Sequence, residues 1–361
     1  MKFLMAAGGT GGHITPGIAI ATMLKNKGHE VIFVGTENGL ETDLVPKAGF
    51  ELKYIHARGL KGGVINNVKA LIELGKGIKE CEKLIKTEKP DMVMGTGGYV
   101  TAPLMIAGIN LKVPTMIHES NALPGKTTKW LARKVSCVAV GFEDAKIRLG
   151  NLDNVICTGN PNKMGMINMP KKEAKEKLNV NGKLVLVFGG SQGAKKINET
   201  MITLINSNSF QGYHVIYATG PKHYENIIAE LKEIPENVKV EKYIYNMEEV
   251  MRASDIVVCR SGALTVSELS TVGVGSILIP FPYAAENHQY YNAKTLEDAG
   301  AGIIIEEKDL TPEILKSKLE ELMNNETRLQ EMQVCAKKLE KKNVLEEIAK
   351  EINKVLLMKD C

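Results

Sequence analysis

Three short glycine clusters in this sequence have the spacing of anion-binding turns. Gly8-Gly9-Thr10-Gly11-Gly12-His13 follows the apolar run 2–7, and Gly189-Gly190-Ser191-Gln192-Gly193-Ala194 follows the apolar run 183–188. A third, Gly95-Thr96-Gly97-Gly98-Tyr99, follows a run that starts at Asp91. Glycine at a strand's end lets backbone N–H groups come close to a phosphate, and the start of the next helix adds partial positive charge there. His13 closes the first cluster, where an imidazole can serve as a hydrogen-bonding residue at a helix start or as a proton carrier.

These turns need strands before them and helices after them. The two main glycine pairs start 181 positions apart, about half the chain, and helical patterns follow at 14–25 and 194–204. Runs 30–34, 91–94, 115–117 and 136–140 read as buried parallel strands in the first half, and 213–218, 239–243, 256–259, 276–279 and 302–305 in the second. Short apolar runs separated by helical stretches predict doubly wound α/β sheets covered on both faces. We expect two domains, 1–161 and 162–342, with the linker between Gly159-Asn160-Pro161 and Pro170. The tail 343–358 has apolar positions at 344, 348, 352 and 356, the pattern of an amphipathic helix. Whether it returns to the first domain is open at this level.

Composition supports that reading. At roughly 150 residues per domain, 361 residues suggest two domains. A hydrophobic content of 44% and interspersed charge exclude a disordered or fibrous chain. A net charge of +4 is too mild to make nucleic acid the expected partner. The run after Lys2 is too short for a secretory signal. The uncharged stretch between Asp91 and Lys112 is broken by glycine and proline, so it is a poor membrane span. The six cysteines, at 81, 137, 157, 259, 335 and 361, form no C-x-x-C pair and are expected to be reduced, which suits the cytoplasm.

Rival chemistries fit poorly. A nicotinamide dehydrogenase needs G-x-G-x-x-G, which neither main turn completes, although Glu37 has the position of a ribose-binding acid. Pro124-Gly125-Lys126-Thr127 lacks the first glycine of a Walker A loop, since position 120 is Ser. Without an Asp-x-Asp or a His/Cys cluster, no metal and no cofactor is expected.

Six motifs in order carry a resemblance. To the three glycine turns are added His118-Glu119-Ser120-Asn121, Thr158-Gly159-Asn160-Pro161 and the segment from Cys259-Arg260-Ser261-Gly262-Ala263 to Glu268. Over about residues 1–295 the sequence resembles the MurG family, family 28 glycosyltransferases that convert lipid I to lipid II in peptidoglycan synthesis. The resemblance implies the GT-B architecture, two facing Rossmann-like domains with a cleft between them. It implies UDP-GlcNAc as donor, and undecaprenyl-pyrophosphoryl-MurNAc-pentapeptide as acceptor on the inner face of the cytoplasmic membrane.

The resemblance also assigns residues. Ser191, with Gln192 and Gly193, would touch the diphosphate, and Ile244 the uracil. Ala263, Leu264 and Thr265 open a helix near the nucleotide, and Glu268 would accept from ribose hydroxyls. Gln289, with His288 and Asn292 nearby, would read the GlcNAc hydroxyls. Thr10, Gly11, Gly12 and Asn121 would face the sugar from the first domain, and Tyr99 is a further substrate-binding candidate there that could instead simply cap the third glycine turn. Two positions depart from the family: Asn162-Lys163 stands where Arg is common, and His288 where Gln is common. Lys163 offers the diphosphate a point charge rather than a bidentate fork. An α-linked donor and a β-linked product require one in-line displacement. The candidate base is His13 or Glu119, and Glu119 could instead orient His13. A UDP-GlcNAc 2-epimerase, another GT-B enzyme such as an antibiotic glycosyltransferase, and a non-catalytic nucleotide-sugar-binding regulator remain alternatives.

Charge is unevenly divided. Residues 1–160 carry 20 Lys and Arg against 14 Asp and Glu, while the rest carries 26 against 28. In 53–89, Val64, Ile65, Val68, Leu71, Ile72, Ile78 and Leu84 recur at near-helical spacing among Lys69, Lys76, Lys79, Lys83 and Lys86. Lys126, Lys129, Arg133 and Lys134 surround the single tryptophan, Trp130. An ordinary helix with one buried stripe would give the first pattern. A lipid-linked acceptor favours a peripheral surface for anionic lipids instead.

Overall fold

Side chains alternate along Lys2–Ala6 (β1), with Leu4 and Ala6 entering one apolar cluster and Phe3 and Met5 another, so both faces of the strand are covered. That period of two is what a central parallel strand requires. In the computed structural model, which describes residues 1–59, 64–162, 164 and 169–358 (64–69 as backbone alone), the chain divides into two units. The first is Met1–Asn162 with Lys341–Cys361, and the second is Lys163–Glu340. Part of the expected linker, residues 163 and 165–168, lies outside the described residues.

The first unit has seven strands, all parallel: β1, Glu30–Gly35 (β2), Glu51–Tyr54 (β3), Met92–Gly95 (β4), Thr115–Glu119 (β5), Cys137–Val140 (β6) and Val155–Cys157 (β7). Their order is β3-β2-β1-β4-β5-β6-β7. The two edge strands, β3 and β7, escape the sequence pattern. β3 is Glu-Leu-Lys-Tyr with no buried residue, and β7 has three residues; charged or very short edges are how sheets avoid further pairing.

The second unit has six parallel strands: Leu184–Phe188 (β8), His214–Ala218 (β9), Val238–Glu241 (β10), Ile256–Cys259 (β11), Gly275–Leu278 (β12) and Gly302–Ile304 (β13). Their order is β10-β9-β8-β11-β12-β13. Each sheet therefore reverses its strand order once, between β1 and β4 and between β8 and β11. In open parallel sheets ligands bind at the carboxyl ends of the strands at such a reversal.

The tail forms the helix Val344–Leu357 and belongs to the first unit. Ile348, Ile352, Val355 and Leu356 join Phe3, Met5, Ile14 and Ile20 in one cluster. Burying each large aliphatic side chain contributes roughly 1.5–3 kcal/mol.

Candidate functional site

In the second unit, both turns at the strand-order reversal lead into helices with bare starts. β8 runs through residues 189–194 into Lys195–Asn206, and β11 through 260–262 into Ala263–Val272. The residues before these helices, Ala194 and Gly262, make no side-chain cap. Two later helices of this unit are capped, where Thr311 accepts from Ile314 N at 3.2 Å and Asn325 from Arg328 N at 2.9 Å, while the helices starting at Lys171, Tyr224, Met247 and His288 have no side-chain cap either. A helix start carries about half an elementary positive charge, and uncapped N–H groups can be satisfied by a bound anion. Ser191 and Gln192 are exposed at the tip of the first turn. Gly193 has φ +78°, and a Cβ there would stand 2.0 Å from the Thr219 carbonyl oxygen, so only glycine lets this turn rest on the end of β9.

Ala263, Leu264 and Thr265 form the first turn of the helix after β11, with Glu268 one turn further on. Glu268 is half-buried, and its carboxyl is pushed up to about 7, first by burial and second by the nearby Glu248. A desolvated carboxyl beside a helix start is the kind of group that a binding site perturbs. Ile244 is buried in the loop after β10.

Gln289, at the start of the helix after β12, accepts from Phe281 N at 2.9 Å, and His288 Nδ1 lies 2.8 Å from Ala285 O. Asn292 lies on the same helix as Gln289. It is fully buried and donates to Ser261 O at 3.2 Å, while Ser261 Oγ donates to Gln289 O at 2.8 Å. It thus ties the 261 turn to the helix bearing Gln289. Arg260, which the sequence gives no separate role, donates to Ile279 O and Pro280 O at 3.1 Å each, pairs with Glu307 and lies over the Phe281 ring. It shapes the loop after β12.

The first unit repeats the arrangement. Thr10 precedes the helix Gly11–Asn26 without capping it, so Gly11, Gly12 and His13 form the helix start after β1. Tyr99 is in the turn after β4, on the other side of the reversal, and its hydroxyl lies 3.5 Å from Thr36 Oγ1. His13 Nδ1 is 3.2 Å from Gly8 O and 3.3 Å from Thr10 Oγ1. A carbonyl can only accept, so a hydrogen bond between them requires the proton on Nδ1, which leaves the lone pair of the neutral ring on Nε2.

Sequence reasoning passed over Glu41. Glu37 is exposed, whereas Glu41 has no exposed surface and accepts from Gly9 N at 3.1 Å, Thr36 N at 3.1 Å and Thr36 Oγ1 at 2.9 Å. A lone Glu four residues after Glu37 gives no signal of this in the sequence.

Glu119 ends β5 with both oxygens engaged. It accepts from Asn121 N at 3.0 Å, Asn121 Nδ2 at 3.2 Å, Gly125 N at 3.0 Å and Thr128 Oγ1 at 2.7 Å. Glu119 is thus held by its own loop. Its lone pairs are committed to the 120–128 loop, and His13 meets Gly8 and Thr10. Lys163 lies outside the described residues. Among the described residues, no group of three or more His, Cys, Asp or Glu is placed to hold a metal ion.

Sequence models of the glycosyltransferase family 28 N-terminal and C-terminal domains match residues 3–140 and 184–348. The UDP-N-acetylglucosamine--N-acetylmuramyl-(pentapeptide) pyrophosphoryl-undecaprenol N-acetylglucosamine transferase of Acetivibrio thermocellus is 42% identical, over 99% of this chain and 98% of its own. The chain belongs to glycosyltransferase family 28. The crystal structure of MurG from Acinetobacter baumannii superposes with a TM-score of 0.81 at 29% identity, over 98% of this chain and 99% of that one. The two Rossmann-like domains of this family 28 chain are those of the GT-B fold. The UDP-GlcNAc 2-epimerase of Neisseria meningitidis, at 15% identity, TM-score 0.64 and coverage of 98% and 100%, shares the fold alone.

Proposed function

We propose that this chain transfers GlcNAc from UDP-GlcNAc to the C4 hydroxyl of MurNAc in undecaprenyl-pyrophosphoryl-MurNAc-pentapeptide, giving lipid II. The observation that carries this reading is the full-length relationship to transferases named for that reaction, at an identity far above that of the epimerase. In the second unit, the bare helix start after Ser191 takes the diphosphate, Ile244 the base and Glu268 the ribose. Gln289 reads the sugar. As the bond from the anomeric carbon to the diphosphate oxygen breaks, charge grows on UDP, and the N–H groups at 191–195 stabilise it.

In the first unit, His13 is the base. Nε2 takes the C4 hydroxyl proton as that oxygen attacks, with inversion at the anomeric carbon. Lys163 supplies a point charge to the diphosphate. UDP release from purified protein, measured with and without a lipid I analogue, tests the reading. Release should depend on the acceptor. Interconversion of UDP-GlcNAc without acceptor would establish the epimerase alternative instead.

A peripheral position on the inner leaflet goes with this substrate. No helix among the described residues is long and apolar enough to cross a membrane. Leu71 and Ile72 are 61% and 55% exposed on the helix Val64–Glu88. Trp130 is 52% exposed, with Lys134 Nζ 4.4 Å from its ring centroid. Exposed apolar side chains beside Lys76, Lys79 and Lys134 suit anionic headgroups. The side chains of Val64, Ile65, Val68 and Lys69 lie outside the described residues.

A further inference from the structure

The first glycine turn contains a connection that neither residue's sequence neighbourhood reveals. Glu41 Oε2 accepts from Gly9 N at 3.1 Å, and His13 Nδ1 lies 3.2 Å from Gly8 O. The N–H of Gly9 and the C=O of Gly8 belong to one peptide unit. A fully buried carboxylate therefore touches one end of a planar, polarisable group whose other end holds the imidazole. We propose that Glu41 is a positioning residue for His13, acting through the Gly8–Gly9 peptide.

The physical argument has three parts. A negative charge at the N–H end draws the peptide's electrons towards its carbonyl oxygen and makes Gly8 O a stronger acceptor, as linked hydrogen bonds do in a low-dielectric interior. A stronger acceptor at Nδ1 selects the tautomer with Nδ1–H and a lone pair at Nε2, and it stabilises the imidazolium once Nε2 takes a proton. The same division of labour is found where a carboxylate orients a catalytic histidine directly. Here a backbone amide is interposed between the two.

The surroundings hold both ends. Thr36 gives the carboxylate two further donors, at 3.1 Å from its N–H and 2.9 Å from its hydroxyl. A Cβ on Gly8 would lie 2.9 Å from Glu41 Oε1, so the carboxylate fits directly beneath the turn. Across the ring, a Cβ on Gly97 would stand 2.4 Å from His13 Cδ2, so the imidazole lies against bare backbone. Thr10 Oγ1, 3.3 Å from Nδ1, is a second acceptor for the same proton.

This assignment rests on His13 being the base, and its test separates the two. Nitrogen NMR of histidine-labelled native chain should show His13 in the Nδ1–H tautomer when neutral. Glu41→Gln keeps the shape and an oxygen that can accept from Gly9 N but removes the charge, so the His13 signals should move towards the other tautomer. In the same variant kcat should fall on the order of 10-fold, part of the 10²–10⁴-fold that a positioned base contributes. KM for UDP-GlcNAc should stay unchanged. A native His13 in the Nε2–H form, or His13 signals identical in native and Glu41→Gln chains, overturns the proposal whatever the activity. Moved signals with unchanged kcat overturn its catalytic part. If the signals move but His13→Ala retains full turnover, the connection stands and the assignment of His13 as base falls.

Discussion

Gly98 is packed so closely on Gly8 that a Cβ on residue 98 would lie 2.2 Å from the Gly8 carbonyl oxygen. That oxygen is also the partner of His13 Nδ1, so the third glycine turn buttresses the atom that orients the imidazole. Gly98 also has φ +81°, which costs a side-chain-bearing residue roughly 1–2 kcal/mol. Gly98→Ala is expected to lower the melting temperature and to displace the Gly8 carbonyl. Turnover should fall, while binding of UDP, whose proposed contacts lie in the second unit, should persist. Calorimetry with UDP titration checks both halves of this expectation.

His13→Ala removes the proposed base without touching the donor residues. We expect a folded protein with donor affinity close to native and kcat reduced by a factor on the order of 10²–10⁴. Steady-state kinetics with a lipid I analogue and isothermal titration with UDP-GlcNAc give the two numbers. Near-native turnover would remove His13 from the mechanism.

Glu268 links the nucleotide site to pH. Its folded-state pKa of about 7 stands above the ordinary carboxyl value of 4.5, so the folded chain holds a proton that the unfolded chain has lost. Stability from this group is fully present below about pH 4.5 and declines as pH rises through about 7. Glu268→Gln cannot ionise, so its melting temperature should match native at pH 4 and exceed it at pH 8. The ribose hydroxyls are best received by the carboxylate form, so native affinity for UDP-GlcNAc should strengthen as pH rises through about 7, and the Gln variant should lose both affinity and that pH dependence. Melting curves and binding titrations at pH 5, 7 and 8 test both signs.

Leu71 and Ile72 are tested by charge. Leu71→Asp and Ile72→Asp together should weaken sedimentation with anionic vesicles at low salt. They should leave turnover on a soluble acceptor analogue unchanged, because neither side chain is buried. Equal sedimentation of native protein with neutral and anionic vesicles would count against a role for the basic residues around them.

Elements with strong local patterns were readable before the structure. Ile256–Cys259 coincides with its sequence reading residue for residue, because a four-residue apolar run between a helix and a glycine turn admits few alternatives. β3 and β7 were not readable, since an exposed Glu-Leu-Lys-Tyr segment and a three-residue edge carry no periodicity. Within the candidate site, the glycine turns announce themselves by composition. Burial and hydrogen-bond partners do not: Glu41, Glu119 and Asn292 differ from any surface Glu or Asn only in what the fold brings to them.

The helix Val344–Leu357 completes the first unit, yet it is encoded after the whole of the second. During translation, the first unit's sheet must therefore wait, with Phe3, Met5 and Ile20 lacking their final cover, until the second unit has been synthesised. The second unit is free to fold during that wait. A chain cut short before residue 348 is left with an open apolar seam on its first unit, a mark that cellular quality control can read.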